Sequence, residues 1–157
     1  MKKLVTLFLA LFASVAAFSF AGCDKGETPE GGKSGDVVLN VESIVFTVKC
    51  DYIELGETTS VKDYMDALKA NGELVFDGSN SEFGFYIESV YGRKAEDDAF
   101  WAVYTDLVKI EGDDAVYSTT EWGSFTYGGK TLGSAAYGVS SLPCVEGYTY
   151  ALVYETF

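Results

Sequence analysis

Three cysteines, 24 carboxylates and no histidine decide what chemistry this chain of 157 residues can carry. Without imidazole there is no Ser/His/Asp or Cys/His nucleophile, no imidazole-ligated zinc or haem, and no protein imidazole for a corrinoid cobalt. The chain also lacks a complete phosphate-loop motif and a dinucleotide fingerprint. Paired acids, Asp97-Asp98 and Asp113-Asp114, are the side-chain type a two-carboxylate glycosidase uses. Adjacent carboxylates in loops read instead as solvated charge, and the domain is small for a sugar-chain cleft, so the chain reads as a non-enzyme. "DGSNSE", Asp77 to Glu82, sets oxygen atoms at alternate positions. It lacks the acidic second and third ligands and the central glycine of an EF-hand loop, so it reads as a polar turn and no metal site is assigned.

The aromatic side chains are the remaining chemical resource: 11 Phe, 11 Tyr and two Trp. A buried Tyr must find a partner for its hydroxyl, so a Tyr-rich sheet suits a surface with one wet side. Such surfaces stack flat ligands or sugars, or bind protein. The candidate ligand-binding set is Trp122, Tyr127, Tyr137, Tyr91, Trp101 and Tyr104. Trp122, in "STTEWGSF", leads it because a loop Trp rarely belongs to a central core.

The N-terminus sets the compartment. Lys2 and Lys3 precede an apolar run from Leu4 to Ala17, the pattern of an export signal. "FAGC", Phe20 to Cys23, resembles the lipobox of bacterial lipoproteins. That resemblance implies a signal peptide over 1–22, lipidation of Cys23, and an extracytoplasmic protein held at the cell membrane by its acyl chains. Residues 24–36, "DKGETPEGGKSGD", have the composition of a flexible tether of about 20 Å. A single domain then spans residues 37–157. Loss of Lys2 and Lys3 takes two of the 11 basic residues and none of the 24 acidic ones, leaving a net charge near −15. That charge excludes nucleic acid as a partner. With Cys23 assigned to lipid, Cys50 and Cys144 are left either as a disulfide or as two free thiols. Closing a loop of about 95 residues would contribute up to roughly 4–5 kcal/mol in the chain-entropy model.

These groups need elements to hold them. "SIVFTVKC" alternates as a half-buried strand, with Ile44, Phe46 and Val48 on one face. "SVKDYMDALKANG" predicts a helix capped by Ser60 with Asp63, burying Val61, Tyr64, Met65 and Leu68 and ended by Gly72. "GFYIESVYG" predicts Phe85, Ile87, Ser89 and Tyr91 on one face and Tyr86, Glu88 and Val90 on the other. "AFWAVYTD" is apolar on both faces, with Phe100, Ala102 and Tyr104 opposed to Trp101, Val103 and Thr105, so it reads as a central strand. Gly128-Gly129 signals a two-residue hairpin. In "YTYALVYE" Tyr148, Tyr150, Leu152 and Tyr154 share a face. The fold class expected is α+β, one helix packed on a mainly antiparallel sheet.

"TTSVKDYMDAL", "SEFGFYIESVYGRKA", "FWAVYTD" and "YGVSSLPCVEGYTYALVYE", in that order, resemble the domain family related to the C-terminal domain of transcobalamin and intrinsic factor. Together they cover most of residues 58–155. The excursion from Leu107 to Ala136 departs from the family pattern. The resemblance implies a compact, β-grasp-like α+β fold and an association with corrinoid capture. The reading that follows is a non-enzymatic lipoprotein binding a small organic ligand, with cobalamin or another corrinoid as the candidate. The alternative is a surface module that binds protein or glycan.

Overall fold

The computed structural model describes residues 33–34, 37–39 and 42–157. The expected signal peptide, Cys23 and the tether up to residue 32 lie outside them. The elements run β1 Lys33–Ser34, β2 Val37–Leu39, β3 Ser43–Thr47, α1 Val61–Ala70, β4 Phe76–Ser81, β5 Gly84–Val90, β6 Arg93–Lys94, β7 Ala99–Thr105, β8 Ser118–Tyr127, β9 Lys130–Ala135 and β10 Thr149–Thr156. A seven-stranded sheet has the order β1-β2-β3-β10-β7-β9-β8, and a smaller sheet the order β4-β5-β6. Every strand pair described is antiparallel. The class is α+β, mainly sheet, with both sheets open. Lys33 and Ser34, expected in the tether, pair with Val38 and Val37.

The large sheet is apolar on both sides, which is why its central strands show little alternation in burial. On one face Ile44, Phe46, Trp101, Tyr150 and Leu152 meet α1 and the small sheet through Tyr64, Met65, Leu68, Phe76, Ile87 and Val90. On the other face Val45, Ala102, Tyr104, Leu132 and Ala151 form a second cluster, edged by Phe100, Phe125 and Tyr127. The facing expected for "AFWAVYTD" therefore holds, and β7 is central, between β10 and β9. Phe46 stacks between Tyr64 and Tyr150 with ring centroids 5.8 and 6.0 Å away. Full burial of side chains this large is worth roughly 1.5–3 kcal/mol each, so this stack ties helix and sheet together.

Helix α1 begins as its sequence predicts. The Ser60 hydroxyl accepts from the Asp63 N–H, and the Asp63 carboxylate accepts from the Ser60 N–H at 2.8 Å, a complete capping box. Two further free donors of the first turn, Val61 N–H and Lys62 N–H, reach Leu142 O and Val139 O at 2.9 Å. The loop before β10 thus finishes the cap. The Ser60 backbone N–H, then its hydroxyl, hold the Asp63 carboxyl below its ordinary value. A carboxylate whose folded value is depressed stabilises above its unfolded value near pH 4, and that contribution fades as pH falls through the folded value. Ser60→Ala is accordingly expected to cost about 1 kcal/mol at neutral pH. Acid denaturation followed by circular dichroism should show the gap between variant and parent narrowing below pH 4, since the hydroxyl's bond to the carboxylate titrates while its bond from the Asp63 N–H does not.

Two hairpins turn through left-handed residues. Gly128 and Gly129, at φ 56° and 78°, join Tyr127 to its partner Lys130, as the sequence signals. Tyr91 and Gly92, at 47° and 80°, do the same between Val90 and Arg93. The facing expected for β5 needs correction. Asp77 pairs with Ser89 but Gly78 pairs with Ile87, so Glu88 is an extra residue and the alternation shifts there. Val90 consequently joins Phe85 and Ile87 at the core, while Tyr91 leaves the strand for the turn.

A candidate ligand site in a three-loop cleft

The six aromatic candidates do not converge. Trp101 is 6% exposed, wedged edge-on against Tyr154 at 5.2 Å, and its indole N–H donates to Arg93 O at 3.0 Å. Tyr104 is buried on the opposite face, where its hydroxyl donates to Glu155 at 2.5 Å. Burial first, then that carboxylate, push the phenol up to about 12. Neither ring reaches a ligand surface, because the central strand spends both faces on packing. Tyr91 sits in its turn with its hydroxyl on Glu73 O at 2.7 Å. Tyr127 lies half-buried at the β8–β9 turn, against the second cluster. Tyr137 is exposed and leans on Tyr117, ring centroids 5.7 Å apart.

Trp122 is 69% exposed, and the segment around it is strand rather than loop. Thr119 pairs with Ser134 and Ser124 with Gly133, so residues 120–123 are lifted out of the edge-strand ladder. Two glycines allow the bulge to form. Gly123, at φ 146°, lies over the Tyr104 hydroxyl, and Gly133 carries no side chain where the Thr119 backbone crosses it. Bulges of this kind re-aim a side chain, and here they turn Trp122 outwards.

A cavity with apolar walls lies elsewhere, at the end of the large sheet where β3 and β7 finish and β10 starts. Three loops meet there. The β3–α1 loop supplies Cys50, Leu55, Gly56, Glu57 and Thr59. The β7–β8 loop supplies Ile110, Asp113 and Tyr117, and the loop before β10 supplies Pro143, Cys144, Val145 and Glu146. The cleft between them measures about 560 Å³. Its walls are fixed from below. The Tyr150 hydroxyl donates to Pro143 O at 2.7 Å and accepts from Val145 N–H, and Cys144 N–H donates to Thr59 O at 2.9 Å. A turn closed by Asp113 N–H on Ile110 O, with Gly112 at φ 84°, shapes the second wall.

Its electrostatics are one-sided. Glu57, Asp113 and Glu146 line the cleft, and among the described residues no Lys or Arg does. The Tyr117 hydroxyl first, then Ala115 N–H, hold the Asp113 carboxyl below its ordinary value, so it stays ionised. The Cys50 thiol is pushed up, chiefly by its hydrogen bond to Glu146. Burial pushes the Cys144 thiol up to about 12. Both shifts lower the share of thiolate at neutral pH.

Sequence reasoning singled out Cys50, Cys144 and the neighbouring Tyr137 but missed Leu55, Ile110, Tyr117 and Glu146. These lie in or beside irregular loops, where no periodicity marks a side chain as facing a cavity. In "DGSNSE", Asp77 pairs with Lys69 at 3.1 Å and the Ser79 hydroxyl bonds Glu88, while no metal-type cluster occurs among the described residues. No described helix is long and apolar enough to cross a membrane. No protein-family model matches the chain, and no curated protein matches it significantly.

Proposed function

We propose that this chain is a non-enzymatic, extracytoplasmic lipoprotein, anchored through Cys23, that captures a small organic ligand in the three-loop cleft. The observation that carries the reading is the cleft itself: a hollow of about 560 Å³ with apolar walls, a polar rim and carboxylates of one sign. That volume lies within the range of small-molecule pockets. The acidic lining favours a neutral or cationic ligand with an apolar body. A corrinoid would seat one edge of its macrocycle there.

The test is a titration of the purified full chain with cobalamin, read by absorption spectrum and melting temperature. A spectral change with a raised melting temperature, both lost in Ile110→Arg and kept in Trp122→Ala, is the expected result. Unchanged spectra and melting at high excess would sink the corrinoid version, leaving amines and other small cations to be screened in the same assay.

A second reading is favoured by the exposed Trp122 on its glycine-built bulge: an interaction module that grips protein or glycan. Its signature is capture on a glycan array or by pull-down that Trp122→Ala abolishes without lowering the melting temperature.

A further inference from the structure

We propose that Cys50 and Cys144 form a disulfide that crosses the three-loop cleft and closes it. Both thiols line this one cavity, from opposite loops. The β3–β10 ladder brings them there. Beyond the Thr47–Thr149 pair, Val48 N–H donates to Tyr148 O at 3.0 Å and Val48 O accepts from Gly147 N–H at 2.9 Å. Two residues further on, Cys50 comes alongside the segment 144–146, where its thiol donates to Glu146. Cys50 is exposed and Cys144 buried, and each stands as a free thiol in this structure.

The exposed thiol is the one that exchange reaches first. In an oxidising compartment a disulfide R–S–S–R, small-molecule or protein, is the oxidant. Cys50 loses its proton and attacks one sulfur, forming a mixed disulfide and releasing R–S⁻, which takes that proton. Cys144 then loses its proton to water or a nearby carboxylate and displaces the second R–S⁻ from the Cys50 sulfur, and that thiolate is protonated in turn. Two thiols are oxidised and one R–S–S–R is reduced to two R–SH. The high proton affinity of the Cys144 thiol makes it a poor leaving group, so the finished bond resists exchange by other thiols. Bonding requires the β-carbons to approach to about 4 Å, which draws the 50–59 loop onto residues 143–146 and takes up the space between them. The effect on ligand capture rests on the proposed function: the dithiol is the open form and the disulfide the closed one.

The experiment uses the full chain carrying Cys23→Ser, treated with oxidised glutathione or with dithiothreitol. In the oxidised sample we expect a Cys50–Cys144 linked peptide on non-reducing mapping and a melting temperature higher by about 10 °C. Amide hydrogen exchange should slow in residues 50–59 and 143–146. Cys144→Ser should stop at the glutathione adduct on Cys50. Glutathione stalled on Cys50 in the parent, with Cys144 still free, would overturn the pairing. A linked peptide with unchanged exchange in both loops would overturn the closure. These readouts need no ligand. If bond and closure appear while neither form binds anything, the proposed function fails and this inference stands.

Discussion

Trp101→Ala should lower the melting temperature by about 10–25 °C, the equivalent of roughly 3–5 kcal/mol for an aromatic deleted from a core. The indole is 6% exposed, contacts Tyr154 edge-on and is central to the face that meets α1 and the small sheet. Its loss also leaves Arg93 O without the indole donor. Trp122→Ala should change stability by no more than about 0.5 kcal/mol, as an exposed substitution does. The chain has two tryptophans, so fluorescence separates them. Trp122→Phe leaves the emission of Trp101 alone, which should be blue-shifted and resistant to acrylamide. A quenchable Trp101, or a cost under about 1 kcal/mol for its removal, would contradict the core described above.

Gly78→Ala is the second large effect. A β-carbon there would stand 2.1 Å from Tyr86 O and 2.6 Å from the Phe85 ring. The carbonyl belongs to the ladder immediately beside the bulge, so it cannot retreat without breaking the pairing of β4 with β5. Phe85 is no freer, packed edge-on against Phe76 at 5.9 Å with Lys62 Nζ 4.4 Å from its ring. A cost of about 3 kcal/mol, the upper end of ordinary overpacking, is expected in chemical denaturation. Gly138→Ala serves as the reference, because nothing lies within 4 Å of its β-carbon position. Equal stability of the two variants would mean that the β4–β5 bulge is not as described.

What the sequence made legible follows from periodicity and local chemistry. The capping box, the four buried residues of α1, the two faces of β7 and the Gly128-Gly129 turn each depend on residues within a few positions of one another. The bulges at Glu88 and at 120–123 were not legible. They arise where strand meets strand, and no local pattern marks an extra residue. The cleft was hidden for a related reason: its lining comes from three separate loops, within 50–59, 110–117 and 143–146, joined by the order in which β3, β7 and β10 pair. Tyrosine abundance pointed to a wet aromatic surface. Tyr64, Tyr104 and Tyr150 instead satisfy their hydroxyls internally, on Lys49 N–H, Glu155 and Pro143 O.

The bulge that carries Trp122 also bears on how copies of this protein behave when crowded. Strand β8 is the outer edge of the large sheet, a row of backbone donors and acceptors on which another chain can grow. Four residues lifted from the ladder interrupt that row, leaving only the short pieces Ser118–Thr119 on one side and Ser124–Tyr127 on the other. Deleting residues 120–123 would restore a continuous edge and with it the liability to pair edge to edge that the bulge interrupts.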